Sequence, residues 1–117
     1  MARLERDWER RIGGRLKLRD LHADAAFCIA GDYNTDLGTG AYYGTKAGIA
    51  ALRSGLEDCD LFCATAPEVF PPGRLPYPPI DHIALPAPWK DRTEVVAAWP
   101  ADKANLSDHS GIVVAVA

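Results

Sequence analysis

Asp32 and Asn34, in the stretch CIAGDYNTD, stand two residues apart, the spacing at which an extended backbone points both side chains the same way. Packing has no use for an apolar run that ends in such a pair. Two further stretches carry groups of the same kind: IDHI, with Asp81 and His82, and SDH, with Asp108 and His109. Together these are the parts that phosphoester hydrolysis needs. The anionic oxygens of a phosphoester repel an incoming nucleophile, so catalysis needs a cation, an activated water and donors to the phosphate. Carboxylates suit Mg²⁺ or Mn²⁺, which favour oxygen ligands, and a histidine oriented by a carboxylate supplies a positioned donor. Each residue also has an ordinary structural alternative. Asp32 and Asn34 are common turn formers, Asp81 would suit a strand end, and Asp108 with Ser107 could open a tight turn.

These groups need elements to hold them. The run AAFCIA, 25–30, is short, apolar and bounded by polar residues, which predicts a strand buried on both faces. A flexible turn, TDLGTG, follows. The spacing of Ala47, Ile49, Leu52 and Leu56 then predicts a helix from Thr45 to Glu57, with Thr45 as N-cap. DLFCATA reads as a second strand. Residues 67–79 hold six of the nine prolines, so they form an extended connector or lid. IDHIAL, TEVVAAW and SGIVVAV are apolar and rich in β-branched residues, and read as three closing strands. Ahead of all these, Leu4, Trp8, Ile12 and Leu16 recur every four residues, the mark of an amphipathic helix lying on a sheet. The whole is an α+β domain in which three strand ends carry polar groups, converging on one rim.

With 117 residues, 48% of them hydrophobic, the chain has enough apolar side chains for one core. No apolar stretch approaches the roughly 18 residues of a membrane span, and the charged leader ARLERDWERRIGG has no secretory h-region, so a cytoplasmic location is expected. Three cysteines, Cys28, Cys59 and Cys63, lack a disulfide or zinc pattern and read as buried free thiols. Residues 1–19 carry seven Lys and Arg against three acids, leaving six against thirteen in 20–117. An acidic body argues against a broad nucleic-acid surface.

GDYN at 31–34, IDHI at 80–83 and LSDHSGIVV at 106–114, in this order, resemble the motif blocks of the endonuclease/exonuclease/phosphatase superfamily, also called DNase I-like. The resemblance implies that Asp32 positions or deprotonates the attacking water and that Asn34 helps hold the phosphate or that water. It implies that Asp81 orients His109, which contacts the phosphate, and that Asp108 binds the divalent metal, Mg²⁺ or Mn²⁺. His82 fills a variable slot of the motif and stays outside the implied site. The activity implied is metal-dependent hydrolysis of a phosphodiester or phosphomonoester, as by a nuclease or phosphatase.

Members of the family are longer, with two sheets packed face to face, and their first half supplies an Asn and a metal-binding Glu. Nothing before Asp32 matches these, since Glu5 and Glu9 sit in the amphipathic segment. The chain therefore resembles the C-terminal half of the fold. Residues 1–24 would be a leading helix, and 25–117 one mainly antiparallel sheet with helices on one face. Truncation is expected, with the missing half or self-association covering the exposed sheet face. A catalytically inactive remnant serving as an interaction module is the alternative. The resemblance implies a phosphoester substrate, whether nucleic acid, nucleotide, phosphoinositide or other, chosen by loops bearing Tyr42, Tyr43 and Tyr77, which could stack on a base or simply cover the rim.

Overall fold

The computed structural model describes residues 24–38 and 43–117. Residues 1–23 of the expected leading helix, and Tyr42, lie outside the described residues. The order of elements is β1 (Ile29–Asp32), α1 (Lys46–Asp58), β2 (Leu61–Cys63), β3 (Asp81–Pro86), a 3-10 helix (Ala87–Arg92), β4 (Thr93–Trp99) and β5 (Gly111–Val116). The fold is mixed α+β with antiparallel sheets.

Strands and α1 fall close to their expected places, but the described strands form two sheets where the sequence suggested one. The first has the order β1-β3-β2 and the second is the hairpin-like pair β4-β5. The 3-10 helix between β3 and β4 marks the change of sheet. It opens at Ala87-Pro88, where proline's fixed φ suits a helical first turn. It ends at Thr93, whose hydroxyl donates to the Trp89 carbonyl at 2.8 Å.

α1 begins as expected at Thr45, whose Oγ1 accepts the Gly48 N–H at 3.0 Å. Its buried face is Gly48, Ile49, Leu52 and Leu56, three or four residues apart, so one stripe meets the core. That core joins the helix to Tyr33, Leu37, Leu61, Cys63 and Ala84 of the three-stranded sheet and its loops. Arg53, on the same helix, donates to the Leu37 carbonyl at 2.6 Å and pairs with Glu68 at 2.7 Å. It thereby ties the loop after β1 to the start of the proline-rich segment.

Three expectations change. The strand at 25–30 starts later, at Ile29, and is largely exposed. β1 lies at the edge of its sheet beside β3, and its exposed residues show that it is not buried on both faces. The turn taken as flexible dives inward, with Thr35, Asp36 and Leu37 all buried. Cys59 and Cys63 are buried free thiols, but Cys28, ahead of β1, is exposed. The apolar residues of β4 and β5 remain only half-covered, with Val96, Trp99, Val113 and Val116 exposed. No helix among the described residues is long and apolar enough to cross a membrane.

Candidate functional site

β1 and β3 run antiparallel in a register that sets Asp32 directly opposite Asp81. Two carboxylates facing each other across strands repel, so the sheet by itself would be better off without the pair. The His109 ring offsets that repulsion. Its Nδ1 lies 2.7 Å from Asp81 Oδ2, and its Nε2 is 3.9 Å from Asp32 Oδ2 and 4.0 Å from Asp108 Oδ1. The imidazole thus bridges two strand ends from a third segment.

Local structure explains how each group arrives. Gly31 has φ of 144°, a conformation that side chains disfavour, and it sits immediately before Asp32. A Cβ there would meet nothing nearby, so the glycine serves the backbone and not a tight contact. Asp32 then closes an Asx turn, its Oδ1 accepting the Asn34 N–H at 2.9 Å. Asn34 turns the chain with φ of 55°, which asparagine tolerates well. Its side chain is exposed, and the turn-forming role proposed as its alternative is the one visible in the geometry. Tyr33, between them, points the other way into the core, where its hydroxyl donates to the Ile29 carbonyl at 2.6 Å.

His109 arrives on a tight loop after β4. Asp102 and Ser107 bridge, with Asp102 N–H to Ser107 carbonyl at 2.7 Å, and Asn105 donates to the Asp102 carboxylate at 3.2 Å. Ser107 Oγ then accepts the His109 N–H at 3.1 Å, fixing the turn that presents the ring. Gly111 follows because it pairs with Trp99, and a Cβ at 111 would collide with the indole ring.

The hydrogen bond from His109 to Asp81, together with the Asp81 and Asp32 charges, raises the His109 pKa above its ordinary 6.5. The ring is half-exposed and holds its proton into a higher pH range than a free histidine. Asp32, Asp81 and His109 each offer one ligand atom, all within 4.8 Å of one another. Asp108, the residue expected to bind the metal, is not among these three, and its Oδ1 lies 4.0 Å from His109 Nε2.

His82, beside Asp81, belongs to a different environment. It is 1% exposed, its Nε2 is 2.6 Å from the Thr35 carbonyl and its Nδ1 2.7 Å from Thr65 Oγ1. A carbonyl only accepts, so Nε2 carries the proton and Nδ1 accepts from the Thr65 hydroxyl. Thr65 Oγ1 in turn accepts the Ile83 N–H at 3.2 Å. Burial lowers the His82 pKa below 6.5, and the neutral ring anchors the loop that follows Asp32 and Asn34. Sequence reasoning did not find this anchor, whereas the turn at Ser107 is the structural alternative it offered for Asp108. The second had a local signal in the spacing of Ser107 and His109; the first joins residues 47 apart and had none.

Matched against protein-family models, curated proteins and solved structures, the chain has no counterpart in any of the three. The functional reading therefore stands on the geometry and the motif order.

Proposed function

We propose that the chain carries the catalytic rim of a metal-dependent phosphoesterase of the endonuclease/exonuclease/phosphatase type, corresponding to the C-terminal half of that fold. The observation that carries this reading is the His109–Asp81 hydrogen bond, set beside Asp32 by the β1–β3 register. Two carboxylates set opposite each other with a half-exposed histidine between them form a cluster of coupled titratable groups, which supports a functional role for the rim. In this reading Asp81 holds the His109 ring in one orientation, and protonated His109 stabilises charge developing on the phosphate. Asp32 accepts a proton from, or orients, the attacking water. Asp108 and Asp32 would hold Mg²⁺ or Mn²⁺, which when bound supplies Lewis-acid stabilisation of the phosphate oxygens. Asn34 would steady the phosphate or the water from the turn beyond β1.

The test is hydrolysis of a generic phosphodiester and a phosphomonoester by the full chain, with Mg²⁺ and with EDTA. Weak turnover is expected, since the Asn and metal-binding Glu of the family's other half have no match in this sequence, and it should be sensitive to the chelator and lost in both Asp32→Ala and His109→Ala. Turnover that survives both substitutions would defeat the assignment.

A second reading is a non-catalytic module whose half-covered sheet meets a partner. The exposed Val96, Trp99, Val113 and Val116 of β4 and β5 favour it. Chain self-association in sedimentation together with no hydrolysis under any metal would select it over the first.

A further inference from the structure

The stretch between Asp32 and α1 holds two residues in the left-handed region, Asn34 with φ of 55° and Leu37 with φ of 61°. Asparagine enters that region readily, but a leucine there is uncommon and carries a steric penalty. Leu37 is also 1% exposed, so its side chain is seated in the core while its backbone is strained. Such a conformation persists only where surrounding contacts over-determine it, and strain of this kind collects beside functional sites.

The contacts that hold the loop come from several segments. His82 Nε2–H donates to the Thr35 carbonyl at 2.6 Å, Thr35 Oγ1 accepts the Leu37 N–H at 3.4 Å, and the Asp36 N–H meets the Tyr43 carbonyl at 3.0 Å. Arg53 completes the set from the partly exposed side of α1, where its Nη2 donates to the Leu37 carbonyl at 2.6 Å. Both oxygens of Glu68 accept from the same guanidinium, at 2.7 and 3.0 Å. Glu68 lies at the start of the proline-rich connector, whose far end returns to the rim, because the Ile80 carbonyl accepts the Tyr33 N–H at 2.9 Å and Asp81 follows. One side chain therefore joins the loop after Asp32 to the connector that leads into Asp81. That task calls for a planar fork, which can serve a carboxylate and a carbonyl together, where a lysine ammonium is a single point. An ion pair this exposed adds little to global stability, so what it holds still matters more than what it stabilises.

We propose that Arg53 is a positioning residue for Asp32. By holding the Leu37 carbonyl on α1 it keeps the strained loop closed. The closed loop fixes the turn in which Asp32 Oδ1 accepts the Asn34 N–H, leaving Oδ2 3.9 Å from His109 Nε2. The proposal rests on the phosphoesterase reading for what the Asp32 carboxylate does, and on the loop geometry alone for how it is held.

Its test is amide hydrogen exchange of the full chain in EDTA, read residue by residue by NMR, which needs no turnover. The Asn34 amide is expected to be protected in the native chain. Arg53→Met keeps the helix propensity and the apolar stem, and should speed Asn34 exchange at least about tenfold, the scale of one hydrogen bond. The Leu56 amide of α1 should be unchanged. Arg53→Lys should behave as Arg53→Met does, because an ammonium does not reproduce the fork. An unprotected Asn34 amide in the native chain, an unchanged Asn34 rate in Arg53→Met, or full protection in Arg53→Lys would each overturn the positioning role. A rise shared by Leu56 would overturn it too, by assigning Arg53 to stability alone. Phosphoester turnover with Mg²⁺ is expected to fall by roughly tenfold or more in Arg53→Met, as a small displacement of a reacting group costs rate. The expected exchange result in a native chain without Mg²⁺-dependent turnover would defeat the phosphoesterase reading alone, and turnover indifferent to Arg53→Met would overturn the role of Arg53 alone.

Discussion

The three-stranded sheet and the β4–β5 pair are both built from largely apolar stretches, the second much richer in β-branched residues, and they end in different environments. α1 packs on β2 and shares a core with Ala84 of β3, and Leu52 of that helix is completely buried. Val113 of β5 is 42% exposed. The histidines repeat the contrast, since His82 is sealed inside the first region while His109 hangs from the second at its edge. Stability is thus concentrated in one region, and the chemistry lies where the other meets it. A rim assembled from both regions can hold unfavourable charge pairs because the core beneath one of them bears the cost.

If that division is right, core and hairpin should respond unequally to truncation. Leu52→Ala is expected to lose about 2–5 kcal/mol of unfolding free energy, and Val113→Ala less than about 1 kcal/mol because a half-exposed side chain leaves no closed cavity. Urea titrations of both variants check this, and equal losses would dissolve the contrast. Next in size is an effect on rate. His109→Ala should lower phosphoester hydrolysis by roughly 10²–10³-fold, as for loss of one charge-stabilising donor, while loss of its half-exposed pair with Asp81 costs no more than about 1 kcal/mol of stability.

The two histidines also differ in the sign of their pH dependence. The folded pKa of His82 is depressed, so below about pH 6.5 the unfolded chain takes up a proton that the native chain refuses, and stability falls with falling pH. The folded pKa of His109 is raised, so its contribution is complete below about pH 6.5 and is lost as pH rises through the elevated value. His109→Asn should therefore steepen the loss of urea midpoint between about pH 7 and about pH 5.5, because the opposing contribution is gone. A flatter profile in that variant would reverse the assignment. The smallest effect belongs to Leu106, which is 76% exposed on the loop before His109. Leu106→Ser should change stability by no more than about 0.5 kcal/mol, read from the thermal midpoint.

Much of the architecture was legible in the sequence wherever a local rule applied. Thr45 capped its helix as the Thr-x-x pattern indicated, and the apolar spacing of Ile49, Leu52 and Leu56 named the buried face. The runs at 81–86, 93–99 and 111–116 became strands because β-branched side chains pack on a pleated surface. Burial was legible only in part. AAFCIA has the composition of a central strand, but composition does not say which strand lies at the edge, and β1 took that place. Thr35, Asp36 and Leu37 look like turn residues and are buried, because Arg53 and His82 draw their backbone inward from distant segments.

By itself the sequence determined the residue types of the rim and their order along the chain, since Asp32, Asp81, Asp108 and His109 each sit at the border of an apolar run where a strand must end or begin. Their meeting was a tertiary decision. The antiparallel register that faces Asp32 with Asp81, and the bridged loop that swings His109 across to within 2.7 Å of Asp81, depend on pairings 28 or more residues apart in the chain. No local propensity encodes such a distance. It is set by how α1 and the strands share one core, and by the charge balance that results when those pairings close.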